Sequence, residues 1–360
     1  MRGSLGSGLL ASLVLTSYVV WVASPAAGFG TIEGGGQHRE HERITRAAVA
    51  CPGGRDCFQP RSLDQLAGHG KGFGAVGSPD LTEVSNPAAH CDDADFLAGD
   101  YPRTRDEATA RLLECVDHLR LRFGEAVDGA AELLDGDGKV VDAEVALDTD
   151  CALGATEERA KCRTLEAFGR ALHGAQDFYS HSNWADVADP SRAVGVDNPP
   201  GLHLPAPSPI LDLRGSGPPS VPPELTTGCF VLRDSVPGVG ACERRITHAG
   251  LNKDNGVVDP STGETTDPTT PRGEVGSNFA LAVAGATVET RRQWDDLRVA
   301  LRDRYGADRA SLMACALTHD DPVGDCHTRN RWGVALVVSA VVGILGVGIV
   351  LFRLRRRRRA

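Results

Sequence analysis

The sequence predicts an all-α protein, a single helical domain with long disulfide-stapled loops, and three observations predict it. Apolar residues recur at three- and four-residue steps along two long stretches. Strand-like alternation is scarce and no βαβ rhythm appears, while ten cysteines punctuate the intervening segments.

In chain order, residues 1–27 carry Arg2, an apolar run at 9–22 and the small-residue stretch 23–27. This is the pattern of a secretory signal peptide cut near Ala26 or Ala27. An exported domain is expected over residues 28–325, with a first short helix at 44–50. A long amphipathic helix is expected over 105–134, where Ala108, Leu112, Cys115, Leu119, Phe123, Val127 and Leu134 share a face and Asp135-Gly136 ends it. The next helix carries the apolar stripe Leu165, Phe168, Leu172, Ala175 and Tyr179, and beside it a polar stripe of His173, Asp177 and His181. That placement suits the wall of a cleft. Residues 190–223 hold ten of the 21 prolines and form an extended loop, draped over the domain or rimming the cleft. It is not a domain boundary, because neither flanking half looks complete alone. A second long helix is expected over 278–305 with Gly306 as its stop, followed by a short one at 311–317.

Residues 332–352 form an uncharged run of 21, long enough to cross a bilayer at about 1.5 Å per residue. Six arginines within 353–360 follow and are expected to stay in the cytoplasm. The expected topology is an extracellular domain on one C-terminal membrane span with a short basic tail. Without Arg2 and those six arginines, 31 basic residues face 48 acidic ones, so the exported part carries about −17. Such a surface repels polyanions, which makes nucleic acid an unlikely partner and counts against a nuclease. All ten cysteines lie in the exported part, so five disulfides are expected. Neighbour pairing such as Cys51 with Cys57 or Cys151 with Cys162 would close small loops, though spacing leaves the connectivity open. No CxxC pair supports a zinc-thiolate site.

The polar stripe carries the chemistry. Four helical residues rise about 6 Å, so His173 and His181 stand roughly 12 Å apart and cannot share one ion with bonds of about 2 Å. The spacing calls for at least two metals with Asp177 between them; the competing reading is a solvated polar stripe. Three further segments hold candidate ligands. His38 and His41 immediately precede the first helix; Asp80 precedes His90 with Asp92, Asp93 and Asp95; and His248 is followed by Asn252 and Asp254. Taken singly, each reads equally as surface histidine or solvated acid. Asp92, Asp93 or Asp95 would suit outer partners that orient histidines. No Gly-x-Ser-x-Gly elbow, His-Glu-x-x-His or P-loop occurs, so serine hydrolase, zincin and NTPase readings lose support.

Together the four segments resemble the zinc-dependent phospholipase C and S1/P1 nuclease superfamily. "ALHGAQDFYSHSNW" and "NPAAHCDD" are closer to its Het-C-like branch, and the exported part resembles CinY-type secreted proteins encoded near some lantibiotic genes. The resemblance covers roughly residues 37–255 and implies a helical zinc-hydrolase-like fold around two or three zinc ions. By motif it places His173, Asp177, His90 and Asp80 on one zinc, with Asp177 bridging to a second held by His41, and gives Asp177 and Asp80 the catalytic roles. His181 and His248 would hold a third, with Asp254 standing in for the family carboxylate whose position is Asn252 here. The family's N-terminal tryptophan, which ligates through its amine and carbonyl, has no counterpart; Gly28 would supply those backbone groups. The implied activity is hydrolysis of a phosphodiester, with a phospholipid head group as substrate because the anchor holds the cleft near a membrane. A metal cluster serves this by lowering the pKa of water to about 7 and clamping phosphate oxygens. The alternatives are a non-catalytic, zinc-stabilised interaction module linked to peptide-antibiotic export, maturation or self-protection, and a single-strand nuclease.

One separate motif, Asp135 to Glu144, matches a calcium loop at its Asp, Asp, Gly, hydrophobic and Glu positions, with Leu133 where the first acid belongs. A plain acidic turn closing the long helix is the alternative.

Overall fold

The computed structural model describes residues 28–51, 57–154, 159–230 and 242–327. The predicted signal peptide, the predicted span at 332–352 and the basic tail lie outside the described residues. Among the described residues no helix is long and apolar enough to cross a membrane.

The chain is all-α as expected. Its helices are α1 (Glu40–Val49), α2 (Pro60–Ala67), α3 (Gly74–Gly77), α4 (Pro79–Thr82), α5 (Arg105–Gly129), α6 (Asp142–Val145), α7 (Ala160–His181), α8 (His248–Leu251), α9 (Asn278–Tyr305), α10 (Ala307–Thr318) and α11 (Pro322–Asp325). Two antiparallel ribbons of two residues per strand complete the regular structure: Glu33–Gly34 with Gln37–His38, and Val257–Val258 with Thr265–Thr266.

Local chemistry explains the long helices. Thr104 and Glu107 form a capping box that satisfies orphan N–H groups at the start of α5. This helix gives way to a 3₁₀ turn at Ala130–Leu133, close to its expected end. Gly306, at φ 82°, stops α9 where the sequence placed the stop. Glu144 of α6 accepts from the Ala160 N–H at 2.7 Å and so caps α7.

Helix α7 is the axis of the domain, packed against α3, α5 and α9. One consequence corrects the sequence reading. The polar stripe is no open cleft wall: His173, Asp177 and His181 are all 0 % exposed, because neighbouring segments cover that face too. The reading of a solvated stripe fails with it. The proline-rich loop is draped over the domain, burying Ile210, Leu211 and Leu213 and pinned where Tyr179 Oη accepts from the Ser208 N–H. All five disulfides join sequence neighbours: Cys51–Cys57, Cys91–Cys115, Cys151–Cys162, Cys229–Cys242 and Cys315–Cys326.

Lys161, at the start of α7, is fully buried and donates to Ser62 Oγ (2.9 Å) and His319 O (2.7 Å), tying α7 to α2 and the end of α10. Burial pushes its pKa down to about 7, against the pull of Asp320. The unfolded chain therefore holds more protons than the fold between about pH 7 and 10, and stability rises with pH across that window. Lys161→Met is expected to flatten a rise of about 2 to 4 kcal/mol, read from denaturant midpoints at pH 6 and 9.5.

Candidate metal centre

Four helices and two loops bring the candidate ligands together. His41 lies in the first turn of α1, which begins at Glu40 rather than at 44 as the sequence suggested. Its neighbour His38 stays near the surface, paired with Glu33. Asp80 comes from α4, His90 and Asp92 from the loop behind the 3₁₀ turn Pro87–Ala89, and His173, Asp177 and His181 from α7. His248 opens α8, and Asp254 follows it. Two glycines of α7 permit the close approach. A Cβ on Gly174 would stand 2.5 Å from Ala89 O, beside the loop that carries His90. One on Gly169 would stand 2.4 Å from Ala75 Cβ in α3. Gly169→Ala is expected to cost about 1–3 kcal/mol by pushing α3 outward, measured by thermal unfolding.

The ligands separate into two sets. In the first, His41, His90 and His173 surround Asp177. Gln176 donates through Nε2 to Thr45 and Thr290, so its Oε1 faces His41 and accepts from Nδ1–H at 2.7 Å. His90 donates through Nε2 to Glu83 O (3.3 Å), and His173 through Nδ1 to Val76 O (2.8 Å). In its neutral form each ring then carries its proton on that nitrogen and turns the other, a lone pair, inward. Those lone pairs face acceptors. His41 Nε2 is 3.1 Å from Asp177 Oδ1, whereas His90 Nδ1 and His173 Nε2 lie 3.1 and 3.0 Å from Oδ2. The two nitrogens are 2.9 Å from each other, and Asp80 Oδ1 stands 3.6 Å from His173 Nε2. Asp177 thus presents one oxygen to His41 and the other to the pair His90 and His173. Ligands about 2 Å from a tetrahedral ion are roughly 3.3 Å apart, so these spacings are those of a coordination shell.

Burial favours the neutral ring at His173 and holds its pKa down, with His41 adding to the effect. Burial opposes the charge of Asp177 too, but the rings of His173 and His41 keep its carboxyl well below the usual range. Gly28 closes this set from the N-terminal side. Its backbone lies so near that a Cβ there would meet Asp177 Oδ2 at 2.4 Å, and the Phe29 N–H donates to Oδ1 at 3.1 Å.

In the second set, His181 and His248 lie between two carboxylates. Asp92 Oδ2 is 3.1 Å from His181 Nδ1 and 3.0 Å from His248 Nδ1. Asp254 faces the other nitrogens, at 3.2 Å from His181 Nε2 and 3.5 Å from His248 Nε2. Ser180 Oγ donates to Asp254 Oδ1 and accepts from the Lys253 N–H, and Lys253 Nζ is itself anchored by the buried Asp186. Two acids against two histidines can balance as a protonated quartet without a cation. Although burial opposes a charged His248, Asp92 and its neighbours raise its pKa to about 9. In the first set three imidazoles face two carboxylates: although burial opposes their charge, Asp177 raises the pKa of His41 and His90, whereas burial lowers that of His173, so one ring there has no carboxylate of its own.

The sets jointly pass a test of fit for metal. His41 Nε2, Asp80 Oδ1, Asp92 Oδ1, His181 Nε2, His248 Nε2 and Asp254 Oδ2 are all buried with no hydrogen-bond partner. Orphaned polar atoms are rare in folded proteins; six of the fourteen among the described residues lie here, five of them on side chains grouped so that they could hold a metal ion.

Every histidine and aspartate expected to ligate is in one of these sets. Of the three carboxylates expected as outer partners that orient histidines, Asp92 is the one that faces them, at the Nδ1 atoms of His181 and His248. Asp93 and Asp95 turn away to Arg103 and Arg245. Cys91 and Asp93 adopt left-handed φ of 54° and 61°, which aims Asp92 inward between them. The calcium-loop expectation also fails on geometry. Asp135 Oδ1 accepts from the N–H groups of Asp137 and Lys139 in its own turn, and Glu144 caps α7 instead of closing a loop. No protein-family model, curated protein or solved structure matches the chain.

Proposed function

We propose that this chain is an extracellular, membrane-anchored, zinc-dependent phosphodiester hydrolase, related to the phospholipase C and S1/P1 nuclease superfamily and acting on phospholipid head groups. The observation that carries this reading is the inward-facing lone pairs of His41, His90 and His173 around the split carboxylate of Asp177. Three imidazoles with carboxylates are the donor set of zinc, for which thiolate is not needed. His90, His173, Asp80 and Asp177 Oδ2 would hold one ion, and His41, Asp177 Oδ1 and the Gly28 backbone a second. Asp92, His181, His248 and Asp254 form a third position.

When bound, zinc supplies a water ionisable near neutral pH and positive charge for the phosphate oxygens. The chain does the rest. Asp80, with a side chain 15 % exposed, is the most accessible ligand, and its unpartnered Oδ1 is placed to take the proton of an attacking water. Gln176, Val76 and Glu83 keep the three rings in the ligating tautomer. The acidic exported part disfavours nucleic acid, and the 332–352 apolar run favours lipid.

One observation favours a second reading, a non-catalytic protein in which zinc is a buried staple: apart from Asp80, the histidines and aspartates of the two sets are 0–4 % exposed as residues. A single experiment separates the two. Full-length protein in detergent is assayed for zinc per molecule and for turnover of phosphatidylcholine, phosphatidylglycerol, a nitrophenyl diester and single-stranded DNA, beside His173→Ala. Two or three zincs with lipid turnover lost in the variant is the expected result. Bound zinc with no turnover establishes the staple, cleavage of DNA alone replaces the lipid, and no zinc overturns both readings.

A further inference from the structure

A polar cavity of about 500 Å³ lies between α9, α10 and the disulfides Cys51–Cys57 and Cys315–Cys326, and none of the candidate ligands of the metal centre lines it. Arg298 and Arg302, one helical turn apart on α9, both line it, with Gln59 and Ser311 as further polar groups. Arg298 is also paired with Asp295 at 3.3 Å, whereas Arg302 forms no ion pair among the described residues. Asp325 is the one acidic side chain in the lining, and with Arg298 paired to Asp295 outside it the two guanidiniums are balanced by two carboxylates. In a domain of about −17, that is a locally less acidic spot.

Position gives the cavity its partner. Asp325 is two residues before His327, the last described residue, and the apolar run begins at Trp332. Five residues span at most about 17 Å, so if 332–352 crosses the bilayer, this end of the domain is held against the lipid surface. Phosphate is then the anion at highest local concentration, and the planar guanidinium is the side chain suited to it.

We propose that the cavity bounded by Arg298 and Arg302 binds the phosphate of a phospholipid head group in the membrane that anchors the chain, and so orients the domain on that surface. The site rests on the reading of 332–352 as a membrane span, but not on hydrolysis at the metal centre.

The test uses full-length protein in nonionic detergent, titrated calorimetrically with short-chain dihexanoyl phosphatidylglycerol and, separately, with inorganic phosphate. Arg298→Gln/Arg302→Gln is compared with wild type and with Arg304→Gln, an exposed arginine of α9 outside the cavity lining, and circular dichroism checks that each is folded. The expected result is lipid binding weakened at least tenfold in the double arginine variant and unchanged in Arg304→Gln, with inorganic phosphate binding more weakly at the same residues. Equal affinity in the double variant overturns the proposal. So does an equal loss in Arg304→Gln, which would make the binding a general effect of surface charge, and so does free phosphate binding as tightly as the lipid, which would make this a site for soluble anions.

Discussion

Asp177→Ala is expected to remove two zinc ions from each molecule and to abolish diester hydrolysis. The reason lies in how the carboxylate is divided. Oδ1 faces His41 and accepts from the Phe29 N–H, while Oδ2 faces His90 and His173, so one side chain belongs to both positions of the first set. Removing it leaves a buried N–H unsatisfied and three imidazole lone pairs without their shared carboxylate. Deleting one partner of a buried charged network costs about 3–5 kcal/mol. A domain of this size should then melt roughly 10 °C lower. Asp93→Ala is the matched control: it also removes an aspartate from a ligand-bearing segment, but one engaged with Arg103 and Arg245. Its zinc content should equal that of wild type. Elemental analysis and calorimetric melting check both variants, and an undiminished zinc count in Asp177→Ala would refute the bridged arrangement.

Stripping the metal with a chelator is expected to produce an equally large effect, with a pH dependence opposite in sign to that of the loaded protein. Ligating imidazoles must be neutral, so the loaded protein should lose metal and stability as pH falls below about 6. In the stripped protein the histidines of the second set instead gain from protonation. His248, raised to about 9 between Asp92 and Asp254 despite burial, exceeds its unfolded value near 6.5. Its contribution is therefore fully present below about pH 6.5 and is lost as pH rises through about 9. Melting temperatures of loaded and stripped protein should lie closest near pH 6 and diverge by roughly 10 °C or more near pH 9. Parallel curves across that range would show that no metal-binding step is coupled to these histidines.

What could be read from the chain followed from local rules. Helical period places His173, Asp177 and His181 in one row, and a row 12 Å long already demands more than one ion. The two long helices, the stop at Gly306 and the number of disulfides likewise follow from spacing, capping and compartment. His41, His90, His248 and Asp254 were identified through resemblance of their segments, since each alone is as consistent with an ordinary surface residue. Burial of the polar stripe was not legible. It depends on α3, α5 and α9 closing around α7, with Gly169 and Gly174 supplying the room, and one helix's periodicity contains nothing about its neighbours.

The sequence by itself therefore determined the helical class, the row of candidate ligands on α7 and the excess of negative charge, because these depend on residues a few positions apart or on composition alone. Only the tertiary structure decided that Asp92 rather than Asp93 or Asp95 faces the histidines, that Asp177 divides its oxygens between two positions, and which nitrogen of each ring carries the proton. Those choices rest on backbone angles at Cys91 and Asp93 and on hydrogen bonds from Gln176, Val76 and Glu83, groups up to 135 residues from the rings they orient. Such contacts exist only once the helices have packed, and they turn a row of polar side chains into a shell of inward-facing lone pairs.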